Sequence, residues 1–138
     1  VYIDGGIREF ITVPQDKLLK SEGLSLDELA LIEPLAVGAP AVRHVHFQKG
    51  KFVLVMEAGS IGMGIMEFAK NAYVTVIAIE VNEHRLQFCT QELHIKHTID
   101  DLHEDVVKEL LHITNGDMPT AVFDATGNLK SINTVSII

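Results

Sequence analysis

A chain of 138 residues with 47% hydrophobic content has one domain's worth of sequence and enough apolar side chains for a core, so disorder is excluded. Its formal charge of −8 has no compensating basic run, which argues against nucleic acid or an anionic membrane as a partner. Cys89 is the single cysteine, which rules out an internal disulfide and a CxxC zinc knuckle and leads us to expect a reducing, cytoplasmic setting.

Glu57, Glu67 and Lys70 interrupt the longest apolar stretches, so none is a membrane span, and the N-terminus lacks the basic-then-apolar layout of a signal. The chain opens on Val1 without a methionine and stops in mid-pattern on Val135-Ser136-Ile137-Ile138, so it is expected to be a piece of a longer protein.

Val1–Ile3 and Phe10–Val13 are short β-prone runs separated by a turn at Asp4-Gly5-Gly6, and Pro14 closes the second. Ser25-Leu26-Asp27-Glu28 has the spacing of a capping box and predicts a short helix through about Ile32. Pro34 suits the first turn of a second helix with an apolar side at Leu35, Val37, Ala41, Val42 and Val45. Pro40 lies inside that helix and is expected to bend or loosen it, at a cost of roughly 3 kcal/mol without compensation.

Lys49-Gly50-Lys51 turns into Phe52–Met56, an unbroken apolar run of the kind that a parallel strand covered on both faces shows. Ala58-Gly59-Ser60-Ile61-Gly62-Met63-Gly64 follows, and Ile61, Ile65, Phe68 and Ala69 recur at helical spacing, so a helix starts inside the glycine turn. Val74–Ile79 is a second strand, ending at Glu80. Asn82 can cap a helix whose Leu86, Cys89 and Leu93 share a face, and Ile95–Ile99 is a third strand. Asp100 or Asp101 is expected to cap the next helix, with a stripe of Val106, Val107, Leu110 and Leu111 and a stop at Asn115-Gly116. Thr120–Phe123 is a fourth strand, Asp124–Asn128 a polar glycine turn, and a further helix is expected from Leu129. Strand and helix alternate from about Lys51 onward, which predicts an α/β fold with a parallel, Rossmann-like sheet and helices on both faces.

Strand, glycine turn, helix, second strand and a carboxylate about twenty residues beyond the glycines make a dinucleotide-type βαβ unit. Gly59 would let backbone approach a pyrophosphate, Gly62 would let the helix pack close to the strand, and the helix N-terminus would offer free N–H groups to phosphate. Glu80 would accept both ribose hydroxyls of NAD and repel the 2′-phosphate of NADP. Glu57 stands where the fingerprint has its first glycine, and a carboxylate there would repel a pyrophosphate by about 1 to 4 kcal/mol at 4 Å. Glu57 and Glu80 also suit a methyltransferase that binds S-adenosylmethionine, and a non-catalytic nucleotide-binding or assembly module is a third reading. His44, His46, His94 and His97 lack the spacing of a zinc site, and Cys89, on the apolar face of its helix, reads as a buried inert thiol.

Four stretches together, Gly5–Pro14, Glu33-Pro34-Leu35-Ala36-Val37-Gly38, Ala58-Gly59-Ser60-Ile61-Gly62 and Asp124-Ala125-Thr126-Gly127-Asn128, resemble the zinc-dependent medium-chain alcohol dehydrogenases, most of all the polyol, threonine and sugar-acid branch. The resemblance runs the length of the chain in the family's order. It implies that residues 1–32 are the tail end of a GroES-like catalytic domain and that residues 33–138 are the first half of an NAD-binding Rossmann domain. It implies a zinc-assisted hydride transfer between an alcohol or polyol and NAD. Glu33 matches the acidic position beside the catalytic zinc, as a ligand or as the holder of the zinc-bound water, with the remaining ligands upstream of Val1. Gly59, Ser60, Ile61, Gly62, Glu80, Arg85, Thr126 and Gly127 match cofactor-binding positions, Arg85 near the adenosine ribose. Glu57 departs from the family's glycine, Pro40 from its usual histidine and Ser60 from its usual proline. The chain alone is expected to be inactive, and an open edge on the strand near Ala121 is expected to favour homo-oligomers.

Overall fold

The computed structural model describes residues 6–128. After a single 3-10 turn at Gln15–Lys17, the elements in chain order are α1 (Leu26–Ala30), α2 (Ile32–His44), β1 (Phe52–Met56), α3 (Ser60–Asn71), β2 (Thr75–Glu80), α4 (Glu83–Gln91), β3 (His97–Asp100), α5 (Val106–Ile113) and β4 (Ala121–Asp124). The four strands form one parallel sheet in the order β3-β2-β1-β4. That is the first part of the doubly wound strand order, and the chain reverses direction across the sheet between β1 and β4.

The unbroken apolar runs are explained by two-sided burial. Val53, Val55, Val76, Ala78 and Phe123 face a core shared with Val42 of α2, Ile65, Met66 and Ala69 of α3, and Cys89 of α4. Leu54, Met56, Ile77, Ile79 and Ile99 face the opposite core with Val106 and Leu110 of α5. Alternate residues of β1 and β2 therefore serve two cores, which is why Phe52–Met56 and Val76–Ile79 hold no polar residue.

The capping box forms in full: the Ser25 hydroxyl accepts the Glu28 N–H at 3.2 Å and the Glu28 carboxylate accepts the Ser25 N–H at 2.7 Å. Pro34 does sit in the first turn of α2, where its missing donor removes no helical bond. The buried side of α2 is Pro34, Gly38 and Val42, whereas Leu35 and Val37 stay exposed. Small residues face α3 because the two helices approach closely: a Cβ on Gly38 would stand 3.2 Å from the Ile65 backbone nitrogen. The helix runs unbroken through Pro40, so packing against α3 holds together what the missing donor weakens.

Three expectations need correcting. Neither Asp100 nor Asp101 caps α5; Asp105 does, its carboxylate accepting the Lys108 N–H at 3.1 Å. Asp100 instead accepts the Leu102 N–H at 2.9 Å and pairs with His103 at 2.8 Å, which spends its oxygens on an intervening turn. The third and fourth strands each begin later than their apolar runs, at His97 and Ala121. Phe10–Val13 is not a strand, because among the described residues nothing pairs with it. Val1–Ile3 and the helix expected from Leu129 lie outside the described residues. No helix among the described residues is long and apolar enough to cross a membrane.

Candidate functional site

The C-terminal ends of β1, β2 and β4 open into a cleft of about 260 Å³, at the point where the strand order reverses. Met56, Ile79 and Val81 contribute its apolar lining, and Glu57, Glu80, Arg85, Asp101, Thr126 and Asn128 contribute the polar one. Beside it α3 begins at Ser60, with Gly59 as an extended N-cap and no side chain capping the first turn. The first-turn N–H groups have no partner within the helix and carry its positive dipole end. Gly62 is required by the packing here, since a Cβ would collide with the Glu57 carbonyl oxygen. This is the close approach that the third fingerprint glycine permits.

Glu80 ends β2 and is almost fully buried. One carboxylate oxygen accepts the Ala58 N–H at 2.8 Å; the other accepts those of Val81 at 2.8 Å and Asn82 at 3.0 Å. Burial pushes its pKa up, but the three backbone N–H groups outweigh that, with Arg85 adding a little, and hold the carboxyl below its ordinary value. The side chain is thus a brace between the turns that follow β1 and β2. With three acceptor positions taken, two ribose hydroxyls could be accepted only in competition with backbone donors, a constraint invisible in the strand-then-acid pattern.

Glu57 has φ 74°, a left-handed conformation that explains why the fingerprint prefers glycine there. Its carboxylate is partly exposed and leans over Gly59, 3.3 Å from where a Cβ on that glycine would lie. Arg85, in the first turn of α4, stands 3.4 Å from both the Glu57 and Glu80 carboxylates, with one Nη1 shared between them. At that length each contact is more Coulombic than a directed hydrogen bond.

The structure gathers Glu80, Arg85 and Thr126 in the cleft. Thr126 is set by the Asp124 turn, where its N–H and hydroxyl donate to the Asp124 carboxylate at 2.8 and 2.6 Å, and Gly127 follows with φ 60°. Gly59, Ser60, Ile61 and Gly62 adjoin the cleft at the start of α3, and Ser60 lines a separate apolar groove with Pro34, Leu35 and Phe88. Glu33 is exposed in the first turn of α2 and lines neither cavity. Among the described residues no three His, Cys, Asp or Glu side chains come together as a metal site. Asp101 is the cleft residue that the sequence reading assigned to a helix cap; a second acid after the third strand of a parallel sheet was the available signal. Cys89 is fully buried, and desolvation together with the nearby Glu80 charge pushes its thiol up to about 11, so it is inert.

A family model described as zinc-binding dehydrogenase matches residues 60–136. L-galactonate-5-dehydrogenase of Escherichia coli K12 is 34% identical over 139 residues, covering 100% of this chain and 41% of that protein. Sorbitol dehydrogenase of Bacillus subtilis is 29% identical, covering 91% and 36% respectively. The chain therefore spans about two fifths of the length of such curated relatives. An alcohol dehydrogenase of Escherichia coli CFT073, solved with NADH, superposes with a TM-score of 0.78 at 27% identity over 93% of this chain and 38% of that one. The alcohol dehydrogenase of Aeropyrum pernix gives 0.79 at 24% identity over 97% and 41%, a likeness of fold. With the glycine turn, the reversal point and the family match in register, this chain belongs to the zinc-binding, medium-chain dehydrogenase family.

Proposed function

We propose that this chain is the first half of the cofactor domain of an enzyme that moves hydride between an alcohol or polyol and NAD. The observation that carries the reading is the cleft at the β1/β4 reversal point, bordered by an uncapped α3 N-terminus and walled by Glu80, Arg85 and Thr126. The residues fit a dinucleotide: Gly62 could not carry a side chain, and the first turn of α3 has donors to give. NAD bound there would supply the hydride acceptor. The chain's own part is to hold it, with the amides of Ser60, Ile61 and Gly62 toward phosphate and Arg85, Thr126 and Gly127 at the margins. Glu80 keeps both turns in place, and the carboxylates of Glu57, Glu80 and Asp101 disfavour a 2′-phosphate, so NAD is preferred to NADP.

Zinc belongs to the same proposal at the level of the whole protein. The described residues do not make a zinc site, and Glu33 offers one exposed carboxylate that could join ligands contributed elsewhere. The division at Ile32/Glu33 is supported by exposure: Ile7, Phe10, Leu19 and Leu26 join neither core, whereas α2 packs on α3. The apolar side chains of residues 6–31 are what a neighbouring catalytic domain would cover. Homo-oligomer formation through the edge of β4, which no strand among the described residues pairs with, is part of the reading, and light scattering of a clean monomer at high concentration would remove it.

Calorimetric titration tests the core of the proposal. Saturable binding of NAD with weaker binding of NADP is expected. Saturable binding of S-adenosylmethionine with none of NAD would replace the dehydrogenase reading by a methyltransferase one.

A further inference from the structure

Glu57 is an acid placed where the dinucleotide turn asks for no side chain at all. Its backbone cannot turn away: the N–H donates to the Ile79 carbonyl at 2.8 Å, and its own carbonyl oxygen fills the space that a Cβ at Gly62 would need. The direction of its Cα–Cβ bond is therefore fixed, and the carboxylate stands over Gly59, the N-cap of α3. There a full negative charge faces the roughly half-unit positive charge of the helix end and cancels much of what would attract phosphate. Arg85 does not offset this. Among the described residues it is the one cation lining the cleft, it is divided between Glu57 and Glu80, and Asp101 adds a third carboxylate to the same walls.

We propose that Glu57 is a specificity-determining residue that makes this cleft discriminate by charge at the glycine turn: an adenosine moiety is accepted without penalty, while a ligand carrying pyrophosphate past Gly59 is bound more weakly than the fold would otherwise allow. The proposal rests on the dinucleotide reading of the cleft and deepens it. A Coulombic penalty of this kind acts only on the phosphate-bearing part of a ligand, so it alters the ratio of two affinities. A loss of fold or of cleft shape would alter both together.

The 138-residue chain, Glu57→Gln and Glu57→Gly are titrated with adenosine and with ADP-ribose, each at low and at physiological salt. Glu57→Gln keeps the side-chain volume and the left-handed backbone while removing the charge; Glu57→Gly also restores the fingerprint residue. Both variants are expected to tighten ADP-ribose by about tenfold or more and to leave adenosine within about twofold. In the parent chain, added salt should move the ADP-ribose to adenosine ratio toward that of the variants, because screening weakens the repulsion. An unchanged ratio in both variants, or an equal shift of both ligands, overturns the proposal and leaves the dinucleotide site standing. Failure of either ligand to bind any of the three chains overturns the site itself.

Discussion

Glu57 and Glu80 are the same residue type at the ends of neighbouring parallel strands, each 3.4 Å from the same guanidinium, yet they do different work. The Glu80 side chain is 2% exposed and bonded to three backbone N–H groups; that of Glu57 is 33% exposed and has no backbone donor among the described bonds. One acid is part of the architecture, and the other is presented to whatever enters the cleft. Burial and donor count, not residue type, decide which carboxylate a ligand meets.

Removing the brace should have the largest effect. Glu80→Ala leaves the buried Ala58 N–H without an acceptor and frees the Val81 and Asn82 turn, and a loss of about 3 kcal/mol is expected in denaturant titration. The same group sets an acid limb. Its folded pKa lies below the ordinary 4.5, so its contribution is complete above that value and is lost as pH falls through the lowered one. Glu80→Gln should flatten stability against pH in that window, and an unchanged acid limb would show that the brace is not ionised. Gly62→Ala comes next, at about 2 kcal/mol, because its Cβ must displace the Glu57 carbonyl from between β1 and α3. Full stability in that variant would mean that the turn can relax and that the direction of Glu57 is not fixed.

For Glu57 the sign reverses. Glu57→Gly should gain about 1 kcal/mol, since glycine adopts φ 74° without strain and the unfolded chain takes back part of the relief. Glu57→Ala keeps a Cβ in the left-handed region and should gain less. A destabilised Glu57→Gly would place Glu57 with Glu80 among the structural acids and end the contrast between them.

Most of this architecture was legible because local chemistry and global packing agree. The apolar runs Phe52–Met56 and Val74–Ile79 can be satisfied only between two helix layers, and a helical crossover between parallel strands packs back onto a twisted sheet with one handedness. The cap of α5 was misplaced because Asp100, Asp101 and Asp105 are all competent caps in sequence. Only the turn that consumes Asp100 selects Asp105. Phe10–Val13 has the composition of a strand and no partner among the described residues, and pairing is not a local property. At the site, the acids at 57 and 80 could be marked from spacing alone. Both line the cleft, and which of them has its oxygens already taken depends on three N–H groups supplied by turns that sequence spacing does not orient.

Arg85 should give the smallest effect and the sharpest division between the two acids. Its side chain is 45% exposed, its contacts are long, and it is the last and weakest of the influences that lower the Glu80 pKa. Arg85→Met is therefore expected to change stability by no more than about 0.5 kcal/mol and to leave the acid limb nearly in place. The backbone donors, which it does not touch, would still hold Glu80, while Glu57 would lose its only partner cation among the described residues. If Arg85→Met instead cost as much as Glu80→Ala, the guanidinium would be what keeps the buried carboxylate charged. The brace would then be an ion triad in which Glu57 has a structural share.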